Sequence, residues 1–222
     1  MITRFTDRTE AGRLLAEKLQ HYSPHPGALV LALPRGGVPV AFEVALAVDA
    51  PMDIFVVRKL GTPGQRELAM GAIATGGVRV LNSDVIRVLR IPKEEIESVA
   101  AREQQEIVRR ERAYRGDRPA PDFTDRTIIL VDDGLATGST MHAAVAALKL
   151  QRPARIVVAV PVAPGSTLRE FEAEADEVVC ALIPRGPFEG VGRWYLDFSQ
   201  TTDDEVRELM ERASRNKRAR PL

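Results

Sequence analysis

The run Thr127 to Thr140, TIILVDDGLATGST, constrains this chain more than any other stretch, because it joins an unbroken apolar strand to two adjacent carboxylates and a turn of small residues. Ile128, Ile129, Leu130 and Val131 lack the polar alternation of a half-exposed strand. That pattern belongs to a parallel strand covered on both faces, so the fold must place helices on both sides of its sheet. Ligands bind at the carboxyl ends of such strands. Asp132 and Asp133 stand at that end, where carboxylates either accept hydrogen bonds from the vicinal hydroxyls of a sugar or hold a divalent cation through water. Gly134, Ala136 and Gly138 keep the next turn bare. The backbone N–H groups of Ala136, Thr137, Gly138, Ser139 and Thr140 are therefore free to converge on an anion at the positive end of the following helix. Ser139 and Thr140 add hydroxyl donors and are expected to cap that helix, which continues through Met141, Ala144, Val145 and Leu148. The segment reads as a cradle for a sugar phosphate. A simple helix cap is the alternative, but two acids exceed what a cap requires.

The rest of the chain fits the same architecture. A strand Ala28 to Leu33, a glycine turn, a helix from about Val38 to Val48 and a strand Ile54 to Val57 form a βαβ unit. Further strands are expected at Arg155 to Val162 and Glu177 to Leu182, giving an α/β fold with a Rossmann-like, mostly parallel central sheet flanked by helices. Residues Asp7 to Leu19 suit an amphipathic helix with Ala11, Leu14, Leu15 and Leu19 on one face, and Asp7 with Glu10 resembles a capping box. The stretch Gly61 to Gly77 is too rich in glycine and too mixed in polarity for a packed element, and a loop of that length is usually functional or disordered. A short strand-like VRVL follows, then an insert, 82–125. Within it Lys93 to Arg115 is helical and densely charged, with a thin apolar stripe of Ile96, Val99, Ala100 and Ile107 that suits a solvated helix packed on one side. The tail after Asp203 reads as a charged helix ending in RNKRAR, a frayed terminus.

A 222-residue chain that is 45% hydrophobic has material for one full core, so residues 1–222 are expected to form a single domain. Its 31 basic residues balance 31 acidic ones, which argues against a general nucleic-acid or membrane footprint. The single cysteine, Cys180, precludes an intramolecular disulfide and suits an inert buried thiol in a reducing compartment. With no signal-peptide pattern and no membrane-length apolar run, a cytoplasmic protein is expected.

Two more loops fall at the same sheet edge. Pro34, Arg35, Gly36 and Gly37 follow the first buried strand; the paired glycines let the backbone approach an anion, and Arg35 offers a fork of donors to phosphate oxygens. Arg58 and Lys59 end the second strand, either as a surface pair or as cations for a phosphorylated ligand.

The 127–140 stretch resembles the phosphoribosyl-diphosphate motif of the type I phosphoribosyltransferases: apolar strand, two acids, two small or apolar residues, then a Thr/Gly/Ser loop. Gly134 departs from it, since the family usually carries an aliphatic residue there. The resemblance covers the core from about Ala28 to Leu182 and implies a Mg²⁺-dependent transferase that moves a phosphoribosyl group from phosphoribosyl diphosphate to a nitrogenous base-like acceptor. On that pattern Asp132 and Asp133 hold the ribose hydroxyls, with indirect contact to Mg²⁺, and Ala136 to Thr140 hold the 5′-phosphate. Pro34 to Gly37, Arg58 and Lys59 hold the diphosphate. The stretch around Arg66 and Glu67 falls where the family has its flexible catalytic loop. Ala136 replaces the Asp that serves as base in the 6-oxopurine members, which favours a likeness to the adenine and orotate enzymes and gives Glu67 a proton-transfer role. The family builds a base-selecting hood from its terminal segments, here the N-terminus and 184–202, continuing into the C-terminal helix to residue 222. There Arg185, Phe188, Trp194 and Tyr195 either stack on a heterocycle or form the core of the cap. A homo-oligomer is also implied. The alternative is a non-catalytic regulator that senses phosphoribosyl diphosphate on the same fold.

Overall fold

In the computed structural model, which describes residues 4–218, strands β1 (Ala28–Ala32) and β2 (Met52–Ile54) belong to a central parallel sheet. A second, antiparallel sheet follows, made of β3 (Val57–Thr62), β4 (Gln65–Ala74) and β5 (Val78–Leu81), in that order. The central sheet is completed by β6 (Thr127–Val131), β7 (Arg155–Val162) and β8 (Glu177–Leu182), and its order is β2-β1-β6-β7-β8. Every pairing in it is parallel, with Ala28 opposite Thr127 and Thr127 opposite Arg155.

Strand periodicity divides the core in two. Val30, Ala32, Ile129 and Val131 face one side, against α1 (Arg8–Lys18), α2 (Gly37–Ala47), α4 (Lys93–Arg115) and α7 (Asp203–Arg218). Leu29, Leu31, Ile128 and Leu130 face the other, against α5 (Ser139–Lys149) and α6 (Gly165–Glu172). All five residues of β1 and of β6 are buried, as their unbroken apolar sequence requires.

The stretch Gly61 to Gly77, expected as a loop, instead forms a β-hairpin and a short 3-10 turn. Ala69, Gly71, Ala72 and Ala74 carry little strand signal by themselves. Leu60, Met70 and Ile73 are buried nonetheless, because α4 and α5 pack against this sheet and supply the apolar surface its own sequence lacks. Register shifts flank Gly61, so the period-2 pattern is broken where it would otherwise be read.

The insert 82–125 forms α3 (Ser83–Val88) and α4. The far end of α4 is fixed by Arg115, whose Nε donates to Asp53 Oδ1 at 3.0 Å, with 5% of the Arg115 side chain exposed. Helix α1 begins as expected: the Asp7 carboxylate accepts from the Glu10 N–H at 2.8 Å. Glu10 reaches back to the N–H of Thr6 rather than that of Asp7, one residue earlier than a capping box has it. The Cys180 thiol is partly buried and donates to the Leu182 carbonyl at 3.2 Å, and burial pushes it up to about 11, in keeping with an inert role. The run RNKRAR straddles the end of α7, and its last two residues lie outside the described residues. Among the described residues no helix is long and apolar enough to cross a membrane.

Candidate functional site

The sheet order makes β1 and β6 neighbours whose connections leave in opposite directions, towards β2 and towards β7. This is a topological switch point, where a parallel sheet leaves a crevice beyond its carboxyl ends. The loop Pro34 to Gly37 and the pair Asp132 and Asp133 meet there. A Cβ added to Gly36 would lie 2.1 Å from Asp133 Oδ2, and one added to Gly37 would lie 2.7 Å from the Val131 carbonyl oxygen. Only glycines allow the two loops to touch. The Pro34–Arg35 peptide is cis.

Helices α2 and α5 both begin at this crevice, and neither has a side-chain cap. At α2 the first two N–H groups are already taken, Gly37 donating to the Leu33 carbonyl and Val38 to the Arg35 carbonyl, both at 3.1 Å, whereas the start of α5 has no side-chain acceptor of its own and suits an anion. Ser139 and Thr140 do not cap α5, contrary to expectation; the Ser139 hydroxyl pairs with that of Thr137 at 3.0 Å. Gly138 starts the helix at φ +67°, and a Cβ there would lie 2.8 Å from the Phe171 ring. Two contacts invisible in the local sequence hold the loop: the Leu135 N–H donates to the Val162 carbonyl at 2.9 Å, and the Thr167 hydroxyl donates to that of Ala136 at 2.9 Å. The unusual Gly134 is explained too. Val191, from the chain after β8, has a methyl 2.6 Å from where a Gly134 Cβ would be, so it fills the space of the family's aliphatic side chain.

Burial pushes the Asp132 carboxyl well above its ordinary range, and the neighbouring Asp133 charge pushes it further. Asp133 is also raised by burial, against the pull of Arg8. Arg8 was not among the residues singled out in the sequence. Its Nε donates to Asp133 Oδ2 at 2.9 Å and its Nη1 to the Ser199 carbonyl at 2.7 Å. The available signal was its place in the first turn of α1, where the helix dipole disfavours a cation.

The segments expected to form the hood pack together, residues 5–8 against the stretch 191–199 that precedes α7. Phe5 pairs with Trp194 and Leu196 through backbone hydrogen bonds of 2.8 Å each. Tyr195 is 4% exposed and its hydroxyl donates to the Asp133 carbonyl at 2.6 Å, so it is part of the cap's core and not a free stacking face. Phe188 and Trp194 stack on each other, with ring centroids 6.2 Å apart, in a small cluster with Phe5 and Val162. Arg185 is exposed on the loop that leads to them. Helix α7 packs against α2 and α4.

Arg58 and Lys59 do not act as a pair. Successive strand residues point to opposite faces, and Arg58 turns to α4, where Glu103 takes its Nη2 at 2.8 Å. Lys59 and Glu67 share the other face and line a cleft of about 900 Å³ with Ser139, His142 and Lys149. The antiparallel sheet thus brings Glu67 and Lys59 beside the start of α5. The backbone of Arg66 lies in β4; its side chain is outside what is described. Arg35 extends towards the start of α7, 3.6 Å from Asp203, which also accepts from the Tyr114 hydroxyl at 2.6 Å.

The model of the phosphoribosyl transferase domain matches residues 63–188. Two curated Mycobacterium tuberculosis proteins, "Putative phosphoribosyl transferase Rv0571c" of strain H37Rv and "Putative phosphoribosyl transferase MT0597" of strain CDC 1551, are each 45% identical over 212 residues. Each alignment covers 96% of this chain and 47% of the relative, so the chain spans about half the length of the curated relatives it matches. The crystal structure of TT1426 from Thermus thermophilus is 41% identical and superposes with a TM-score of 0.81, covering 93% of this chain and 97% of that one.

Proposed function

Because the chain belongs to the phosphoribosyl transferase domain family, we propose that it transfers the 5-phosphoribosyl group of phosphoribosyl diphosphate to a nitrogenous, base-like acceptor with release of diphosphate. The observation that carries this reading is the meeting, at one switch point, of the uncapped start of α5, the glycine loop before α2 and two half-buried carboxylates. An anion-binding turn alone suits any phosphate. Paired acids beside it suit a phosphorylated sugar with vicinal hydroxyls.

The 5′-phosphate sits on the N–H groups of Ala136 to Thr140, and the ribose hydroxyls donate to Asp132 and Asp133. The diphosphate lies along Gly36 and Gly37 before α2, with Lys59 and Arg35 as its cations, Arg35 being only loosely held by Asp203 at 3.6 Å; Arg58, paired with Glu103 at 2.8 Å, is the weaker candidate. In the transfer the bond from the anomeric carbon to diphosphate oxygen breaks, a bond to acceptor nitrogen forms, and the acceptor nitrogen gives up its proton. Glu67 takes that proton, a role supported by its position on the hairpin, exposed and lining the cleft with Lys59 and Ser139. Positioning and preorganised charge do most of the work in such a reaction.

The donor set fits Mg²⁺ of the kind held mainly by substrate oxygens. Among the described residues no cluster of three or more acids, histidines or cysteines could cage a metal, while Asp132 and Asp133 suffice for contact through water. When bound, the ion would neutralise charge on the diphosphate. Replacing both Asp132 and Asp133 with Asn is expected to abolish binding of phosphoribosyl diphosphate by calorimetry, and unchanged affinity in a folded double variant would refute the assignment.

A further inference from the structure

Arg8 lies outside the residues that match the family model, yet it grips the centre of the proposed site. Its side chain is 12% exposed, and its guanidinium carbon lies 4.1 Å from the centroid of the Phe198 ring. A cation in the first turn of a helix opposes the dipole, so its place is set by tertiary partners. One is the Asp133 carboxylate, at 2.9 Å, and another is the Ser199 carbonyl, at 2.7 Å, which lies across the hood.

A second strap ends on the same residue. The Tyr195 hydroxyl donates to the backbone carbonyl of Asp133 at 2.6 Å. Phe5 and Thr6, just before Arg8, pair through their backbones with Trp194, Leu196 and Asp197. The hood is therefore one unit of two distant segments, fastened to the strand-end acid by a guanidinium and a phenol. Gly36 approaches the carboxylate oxygen that Arg8 holds, since a Cβ added there would lie 2.1 Å from Oδ2. Oδ2 of Asp133 is occupied by Arg8 and abutted by the glycine loop, so Oδ1 is the oxygen left for a ribose hydroxyl.

We infer that Arg8 is a positioning residue: it latches the terminal hood to Asp133, fixes the orientation of that carboxylate, and so ties the order of the hood to the binding of the ribose. The ligand half of this inference rests on the proposed function; the latch itself does not. A guanidinium spans two acceptors in a fixed plane, whereas an ammonium serves as a point charge. Arg8→Gln removes both bonds, and Arg8→Lys keeps the charge on Asp133 while giving up the link to Ser199.

The chain has one tryptophan, Trp194, and it belongs to the hood. Acrylamide quenching of its fluorescence in the ligand-free protein reads the latch directly. Quenching is expected to rise severalfold in Arg8→Gln and in Arg8→Lys. Calorimetry with Mg²⁺ and phosphoribosyl diphosphate reads the positioning role: affinity is expected to fall about tenfold or more in Arg8→Gln, as for loss of a charge-assisted hydrogen bond, and by a smaller factor in Arg8→Lys, which keeps the charge but not the fixed plane. Tyr195→Phe cuts the other strap without touching a charge, and it too is expected to raise quenching, so the latch stays testable if Arg8→Gln fails to fold. Wild-type quenching in the folded variants overturns the latch whatever the ligand. Wild-type affinity in Arg8→Gln overturns the positioning role. No binding heat from the wild type overturns the proposed function and the ribose half with it, while the quenching result still decides the latch.

Discussion

Gly36→Ala and Gly37→Ala add the same methyl group at adjacent positions, but their expected consequences differ in kind. Gly36 has φ −59°, an ordinary helical value, so alanine brings no backbone strain there. Its Cβ would fall 2.1 Å from Asp133 Oδ2 and 2.7 Å from Cγ. Relief requires the carboxylate to move by about 1 Å, and a side-chain end can do so with little disturbance of the fold. The movement breaks the 2.9 Å bond to Arg8 and misplaces the acid that faces the ribose. Losing a hydrogen bond from a ribose hydroxyl to a charged acid costs about 1.5–3 kcal/mol, or roughly 10- to 150-fold in affinity. Thermal stability should change by less than about 1 kcal/mol, or roughly 4 °C at this size. At Gly37 the new Cβ would meet backbone, 2.7 Å from the Val131 carbonyl oxygen and 3.0 Å from the Asp132 Cα. Neither can swing aside, so β1, β6 and α2 must shift, at about 1–3 kcal/mol for overpacking and roughly 2–12 °C in Tm. Calorimetry with phosphoribosyl diphosphate and thermal melts of both variants provide the assay. If Gly36→Ala binds like the wild type, or if both variants melt alike and bind alike, the close contact between the two loops does not shape the site.

The remaining predictions concern charge. Asp132→Asn should raise Tm at pH 7 while impairing binding. An unfolded aspartate loses its proton near 3.8 and the folded Asp132 keeps it to higher pH, so this carboxyl's contribution is whole below 3.8 and is lost as pH rises through the folded value. The gain from Asn should therefore vanish in melts below pH 3.8, and a gain independent of pH would contradict burial as the cause. Arg115→Met should cost about 3–5 kcal/mol by stranding Asp53, whose carboxyl burial already pushes up against the pull of Arg115. Adding Asp53→Leu should restore much of the loss in denaturant titrations, and no recovery would locate the cost elsewhere.

How much was legible in the sequence follows from which contacts are local. Strands β6, β7 and β8 and helix α4 occur where their patterns place them, because an unbroken aliphatic run and a charged 3.6-residue period are set within each segment. The hairpin β3–β4 was hidden because its residues are small and its register slips at Gly61; its burial comes from α4 and α5, distant in sequence. Helix α6 was also missed. It is eight residues long, and only Thr167, Leu168 and Phe171 are buried. At the site, Asp132, Asp133 and the glycines were legible because strand-end acids and bare turns carry their chemistry locally. Arg8, 125 positions from its partner Asp133, was not. The separation of Arg58 from Lys59 followed from strand alternation, which the sequence contained once β3 was recognised as a strand.

The central claim is that the switch point binds phosphoribosyl diphosphate and passes its sugar to an acceptor. Diphosphate release from phosphoribosyl diphosphate with Mg²⁺, measured across purines, pyrimidines and other nitrogen heterocycles, tests it most directly. Release is expected to depend on one class of acceptor and to be lost when Asp132 and Asp133 are both replaced by Asn. Tight binding without release under any acceptor would contradict transfer and leave a sensor of the same ligand; neither binding nor release would remove the ligand itself.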